Sequence, residues 1–125
     1  MLGVEGIGMR VMIAEDESII ALALSLTLRR LGHQVLGICA SGATCCKAAI
    51  AQRPEVIFMD IRMAGPRDGL EAAAALKDVL PAAIVFTTAF DDAAIRAEAA
   101  SIGYHAFLVK PVAEAAIRNI FQKLT

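Results

Sequence analysis

The amino-acid sequence predicts an α/β domain, a parallel sheet covered by helices on both faces, and three features carry that prediction. Short apolar runs of about five residues alternate with longer helix-like stretches, and the pair repeats five times in order. The strand-like runs are apolar on both faces, as strands sandwiched between two layers of helices must be. The length of 125 residues suits one compact domain of the usual ~100–150 residues and leaves no room for a second of effector size.

The first strand is Arg10–Ala14 (RVMIA). Ahead of it the stretch MLGVEGIG has three glycines and no usable period, so residues 1–8 are expected to be a flexible extension of a domain spanning 9–125. Residues 19–31 have the apolar density of a helix with one buried face, and Gly32 is placed to cap its end. A second strand covers 35–39. Ser41 can cap a helix running to Gln52, which Pro54 stops, and the β-branched and aromatic run 56–59 leads straight into Asp60. Asp68 and Gly69 open an alanine-rich helix over 70–80, closed by Pro81. The fourth strand is 83–87 (AIVFT). Asp91 or Asp92 caps the next helix, which ends near Ile102 at Gly103; Ala106–Val109 is the fifth strand, and 112–124 is a last amphipathic helix. Five strand-helix units are too few for an eight-fold barrel, and no G-x-G-x-x-G follows a strand. The count fits a doubly wound, flavodoxin-like (βα)5 domain with strand order 2-1-3-4-5.

Composition narrows the function. Of the 125 residues 58% are apolar, 25 of them alanine, which is ample for one core. Thirteen acidic residues against twelve basic give a net charge of −1, so the overall field attracts neither nucleic acid nor an acidic membrane. No apolar run approaches the ~18–20 residues of a membrane span, and the N-terminus lacks the basic-then-apolar order of a signal peptide, so a cytoplasmic location is expected. Cys39, Cys45 and Cys46 are odd in number and form no C-x-x-C pair, so reduced, mostly buried thiols are expected. With only His33 and His105 to join them, a zinc site is not indicated.

In open parallel sheets ligands sit outside the carboxyl ends of the strands. There this sequence concentrates its polar residues: Glu15 and Asp16 after the first strand, Asp60 after the third, Thr87 and Thr88 after the fourth, Lys110 after the fifth. The first and third strands are neighbours in the 2-1-3-4-5 order, so Glu15, Asp16 and Asp60 converge. Carboxylates that close raise one another's pKa unless compensated. Lys110 and a divalent cation are the available compensators, and a set of hard oxygens suits Mg²⁺ or Mn²⁺ better than zinc. A metal, a lysine and a hydroxyl around one carboxylate make a site for phosphoryl transfer. Taken singly, Asp16 or Glu17 reads as a helix cap, Lys110 as a solvated lysine and Thr88 as a turn residue. Their common edge is what gives them meaning.

These residues carry a resemblance. The acidic pair at 15–16, Asp60 forty-four positions after Asp16, Thr88-Ala89 and Lys110-Pro111 are similar, in order and spacing over about 9–124, to the response-regulator receiver family of two-component signalling. The resemblance implies that Asp60 takes a phosphoryl group from a phosphohistidine of a histidine kinase or phosphotransfer protein. It implies Mg²⁺ (or Mn²⁺) held by Glu15, Asp16, Asp60 and the backbone carbonyl of Arg62. Thr88 and Lys110 would each hold a phosphoryl oxygen, and Phe107 occupies the place of the family's aromatic switch. Phosphorylation would then remodel the surface of the fourth helix, fifth strand and fifth helix for a downstream protein, for an output domain absent from this chain, or for a second copy in a phosphorylation-linked homodimer. Such a domain is a signalling module, not an enzyme with a separate substrate, and has no direct contact with nucleic acid.

The sequence departs from the family between Asp60 and the next helix, where DIRMAGPRDGLE has Ala64 in place of a common proline and a loop over 61–69 that is one residue longer. Arg62 and Phe90, two positions past Asp60 and Thr88, flank the path of an attacking water, and a bulky pair there predicts slow loss of the phosphoryl group. Two other functions use the same features. An aspartate-nucleophile phosphatase or phosphotransferase would share the carboxylate and Mg²⁺, but places a second acid where Arg62 stands and requires a substrate cap. A flavodoxin-like interaction domain would have no need of Lys110 and Thr88 beside three carboxylates.

Overall fold

The computed structural model of the protein describes residues 8–124. The expected extension at 1–8 therefore lies outside the described residues, apart from Gly8. Strands and helices alternate as β1 (Arg10–Ala14), α1 (Ser18–Arg30), β2 (Gln34–Cys39), α2 (Gly42–Gln52), β3 (Val56–Asp60), α3 (Asp68–Leu76), β4 (Ala83–Thr88), α4 (Ala93–Ile102), β5 (Ala106–Val109) and α5 (Glu114–Leu124). All strand pairs are parallel and the sheet order is β2-β1-β3-β4-β5, as the sequence predicts.

Side-chain alternation along each strand divides the core between the two faces of the sheet. Met12, Ile57, Met59, Ile84 and Phe86 pack on one side against Cys45 and Ala49 of α2, Leu70, Ala73 and Leu76 of α3, and Ala99 of α4. On the other side Val11, Ile13, Phe58 and Val85 meet Ala21 and Leu28 of α1 and Ile117, Ile120 and Phe121 of α5. The alanines of α2, α3 and α4 let three helices share one face. Among the described residues no helix is long and apolar enough to cross a membrane.

Several helix ends differ from the sequence expectation, each for a local reason. α1 begins at Ser18, and its C-cap is Leu31; Gly32, with φ of 97°, is the left-handed residue after it. α2 has its predicted cap, Ser41, whose hydroxyl accepts from the Thr44 N–H while the Thr44 side chain accepts from the Ser41 N–H. It ends at Gln52 as the sequence predicts, with Arg53 as its cap at φ 51°, and the carbonyls of Gln52 and Arg53 both accept from the Arg10 guanidinium, 2.7 Å in the second case. α3 stops at Leu76 and not at Leu80, because the Leu76 carbonyl accepts from both Val79 and Leu80 in a closing turn before Pro81. α5 starts at Glu114, with Ala113 supplying the first carbonyl, so 112–113 belong to the connection. His33, just past Gly32, is held on both sides: its ring stacks on Phe121 at 3.7 Å, its Nδ1 accepts from the Met9 N–H at 3.0 Å, and burial lowers its pKa. The three thiols are free as expected, but only Cys45 is fully buried, its pKa pushed up to about 12 by burial; Cys39 and Cys46 are half-buried.

Candidate functional site

Parallel register determines which side chains meet at the carboxyl edge. Ala14 lies opposite Met59, so Glu15 follows beside Asp60, while Asp60 itself is opposite Thr87. Thr88 is opposite Val109, which brings Lys110 to the same edge; the Lys110 N–H donates to the Thr88 carbonyl at 2.7 Å. A Cβ on Gly69 would stand 2.0 Å from the Asp60 carbonyl oxygen, so only glycine lets the start of α3 approach the end of β3 this closely.

Glu15, Asp16 and Asp60 each offer a carboxylate oxygen within 4.8 Å of the others. Glu15 and Asp60 are buried and Asp16 is exposed, so the cluster opens to solvent on one side. Lys110 reaches across the sheet edge with its Nζ 2.5 Å from Glu15 Oε1 and 3.2 Å from Asp60 Oδ2. The second oxygen of Glu15 accepts from the Glu17 N–H at 3.0 Å.

These contacts divide the electrostatic load unequally. Burial pushes the Glu15 carboxyl up, but hydrogen bonds from Lys110 and the Glu17 N–H, with one shared with Asp60, hold it below its ordinary value. Asp60 goes the other way: burial first and the Glu15 charge second raise it to about 7, against a smaller pull from Lys110. Burial lowers the Lys110 pKa, yet the two carboxylates more than offset this and keep the ammonium charged. One lysine thus serves two buried acids and leaves Asp60 short of positive charge. Hard oxygens, an open side and an uncompensated buried carboxylate fit a divalent cation such as Mg²⁺.

The other predicted site residues lie around this cluster with different immediate partners. Thr88 is buried, and its hydroxyl is engaged with Phe90, accepting from the N–H and donating to the carbonyl, each at 3.2 Å. Arg62 is exposed, its guanidinium carbon 5.1 Å from the centroid of the Phe90 ring, so the two residues expected to flank the water path touch each other. Phe107 is half-buried beside Phe86 and Tyr104, with the Arg96 guanidinium carbon 4.4 Å from its ring centroid. The Lys110-Pro111 peptide is cis.

Sequence reasoning missed three contributors. Asp68 is read there as a helix opener, but its Oδ2 accepts from the Gly42 N–H at 2.8 Å and the Ala64 N–H at 3.0 Å, tying the long 61–69 loop to the start of α2. Its place before Gly69 is a signal for the turn and not for that longer tie. Arg96 and its partner Asp91, 3.0 Å away, sit on an exposed surface where periodicity carries no information. Gly69 is visible as a turn residue, but not as the close neighbour of Asp60.

The fold and this edge have clear counterparts among known proteins. Residues 11–122 match the family described as the response regulator receiver domain. The chain is 36% identical over 102 residues to the transcriptional regulatory protein PdtaR of Mycobacterium tuberculosis, covering 82% of this chain and 49% of that protein. It is 34% identical over 119 residues to the transcriptional regulatory protein BtsR of Salmonella typhi, covering 92% and 47%. The chain thus spans about half the length of these curated relatives. Among solved structures, the signal receiver domain of a modulated diguanylate cyclase from Desulfovibrio desulfuricans superposes with a TM-score of 0.86 at 30% identity, covering 93% of this chain and 92% of that one. With the family matched over nearly its whole length, and with the predicted sheet order in place, this chain belongs to the response-regulator receiver domains.

Proposed function

We propose that the domain is a phosphoacceptor in a two-component relay, with Asp60 as the nucleophile. The observation that carries this reading is the buried Asp60 carboxylate, paired with Lys110 at 3.2 Å and clustered with Glu15 and Asp16 at the sheet edge. In the transfer, an Asp60 oxygen attacks the phosphorus of a partner's phosphohistidine, the P–N bond breaks, its electron pair stays on the imidazole nitrogen, and an acyl phosphate forms on Asp60. A Mg²⁺ (or Mn²⁺) ion held by Glu15, Asp16, Asp60 and the Arg62 backbone carbonyl would supply charge neutralisation for the phosphoryl oxygens. Lys110 stabilises the same charge from the other side. Burial and the Glu15 charge hold the Asp60 carboxyl up at about 7 without a cation, and a divalent ion beside it would favour the ionised nucleophile.

The donor is a histidine kinase or a phosphotransfer protein. A cavity of about 480 Å³ between α1 and α5, lined by Ile19, Ile20, Leu24, Pro111 and Val112, shares Glu15 and Lys110 with the acceptor site, and Ile19 of α1 is exposed at it. An apolar helix of the donor seated there would hold its phosphohistidine near Asp60. Once phosphorylated, Thr88 turns from Phe90 to a phosphoryl oxygen, and Phe107 changes its packing, altering the α4-β5-α5 surface for a downstream protein, an output domain or a second copy. The domain acts on no substrate besides its own acyl phosphate. The rival phosphatase reading lacks its second acid, since position 62 is an arginine turned onto Phe90.

Incubation with acetyl phosphate and Mg²⁺ followed by intact mass tests the assignment. The wild type should gain one metal-dependent phosphate, and Asp60→Asn should not. The same adduct on Asp60→Asn would move the acceptor elsewhere.

A further inference from the structure

From Thr88, at the same sheet edge as the buried acceptor, the β4–α4 connection leads through side-chain contacts to the half-buried Phe107 ring. Thr88, at the end of β4, closes a small turn by bonding both backbone groups of Phe90. The next residue, Asp91, accepts from the Arg96 guanidinium through Oδ1, at 3.1 Å from Nε and 3.0 Å from the second nitrogen. The same guanidinium lies 4.4 Å from the centroid of the Phe107 ring. Asp92 anchors the start of α4 independently, its Oδ1 accepting from the Ala94 and Ile95 N–H groups at 2.8 and 3.1 Å. Arg96 therefore projects from a firmly capped helix, while the aspartate that orients it is the single residue joining the Thr88–Phe90 turn to that cap.

We propose that Arg96 is a positioning residue that latches the Phe107 ring in its resting seat, and that the Thr88–Phe90 turn controls the latch through Asp91. The proposal rests on the reading of Asp60 as phosphoacceptor, because it is the pull of a phosphoryl group on Thr88 that would open the turn. Opening it moves Asp91, frees the guanidinium from its ion pair and removes the cation from over the ring. Nothing new has to form for Phe107 to be released. A guanidinium suits this post because its flat face covers an aromatic ring while its edge meets a carboxylate. If the latch favours the resting state, loss of it must by linkage favour the phosphorylated one.

The test uses beryllofluoride with Mg²⁺, which mimics an acyl phosphate, and fluorophenylalanine-labelled protein in which the Phe107 resonance is identified by Phe107→Leu. Arg96→Gln should displace that resonance in the free protein and tighten beryllofluoride binding about three- to five-fold, the range expected for losing one exposed cation–π hold on the resting state. Asp91→Asn should act in the same direction by less. Arg96→Lys, which keeps a cation for the ring, should stay within two-fold of wild type, where a role in packing alone would make glutamine and lysine alike. Unchanged beryllofluoride affinity and an undisplaced Phe107 resonance in Arg96→Gln would overturn the latch. Failure of the wild type to bind beryllofluoride would instead count against the Asp60 reading, while a Phe107 resonance displaced in Arg96→Gln but not in Arg96→Lys would still support the hold on the ring.

Discussion

The two halves of the carboxyl edge are built on opposite plans. At the β1–β3 half, Glu15 and Asp60, with Lys110 reaching over from the end of β5, are nearly out of solvent, with side chains 4%, 5% and 13% exposed, and the ion pairs to Lys110 cross between strands. At the β4–β5 half, Arg96 and Asp91 are 44% and 59% exposed, and their contacts are a surface ion pair and a ring face. Buried charges in low dielectric interact strongly and are costly to rearrange, whereas exposed pairs are worth little and exchange freely with water. The first half suits chemistry that needs a fixed geometry. The second suits a response, since two arrangements of weak contacts can lie close in free energy.

The largest way to break this contrast is to remove the lysine. Lys110→Met leaves two buried carboxylates without their cation, and should lower stability by about 3 kcal/mol as read by urea unfolding in metal-free buffer. A loss no greater than that of an exposed ion pair would show that the site is well solvated, and that the two halves do not differ in kind.

A second perturbation on the buried side should act in the opposite direction. Asp60 has a pKa raised from 3.8 to about 7 in the folded protein. An acid raised in this way ionises more readily in the unfolded chain, so its stabilising influence is complete below pH 4 and is lost as the pH rises through 7. Asp60→Asn removes that penalty. Metal-free Asp60→Asn should therefore be more stable than wild type at pH 8, by about 2 kcal/mol, with the advantage shrinking towards pH 5. Saturating Mg²⁺ should close the gap at pH 8 by stabilising the wild type. A variant less stable than wild type at pH 8 without metal would contradict the unequal division of charge between Glu15 and Asp60.

How legible each half was in the sequence follows the same division. Strand order and the acidic edge could be read because burial writes itself into short apolar runs, and a run that ends in a carboxylate marks the edge. The strand ends place Asp60 and Lys110 at that edge, and in the structure they lie 3.2 Å apart there. Which acid would bear the charge shortage was not legible, since it depends on Lys110 lying closer to Glu15 across 95 residues of chain. The Arg96 latch and the Asp68 tie were hidden for another reason. They join polar side chains to exposed loops, where neither period nor hydrophobicity distinguishes a partnered residue from a solvated one. The helix end failed at Leu76, where a closing turn overrides local preference.

On the open half, the anchor of the latch can be loosened without touching it. Asp92→Ala removes the side-chain cap from the Ala94 and Ile95 N–H groups and should cost about 1 kcal/mol, measured by thermal unfolding. Because Asp92 holds the helix and not the turn, Phe107 should keep its resting resonance; a displaced ring would mean that the whole of α4, and not Arg96 alone, sets the seat.

The smallest effect on stability, and the sharpest on chemistry, is expected at Arg62. Its guanidinium covers the exposed Phe90 ring at 5.1 Å, a contact worth roughly 0.5 kcal/mol at such a site. Arg62→Ala should therefore unfold almost like wild type. Yet Arg62 and Phe90 come from the β3–α3 and β4–α4 connections that follow Asp60 and Thr88, and in the proposed reading their pairing would screen an acyl phosphate on Asp60 from water. Opening that pairing should shorten the phosphoryl lifetime several-fold, followed as inorganic phosphate released after the donor is removed. Phe90→Ala should do the same, and the double variant no more than either alone, because the two side chains obstruct water as one unit. Additive gains would show that each residue blocks a separate path, and that the edge between the two halves is open in the middle.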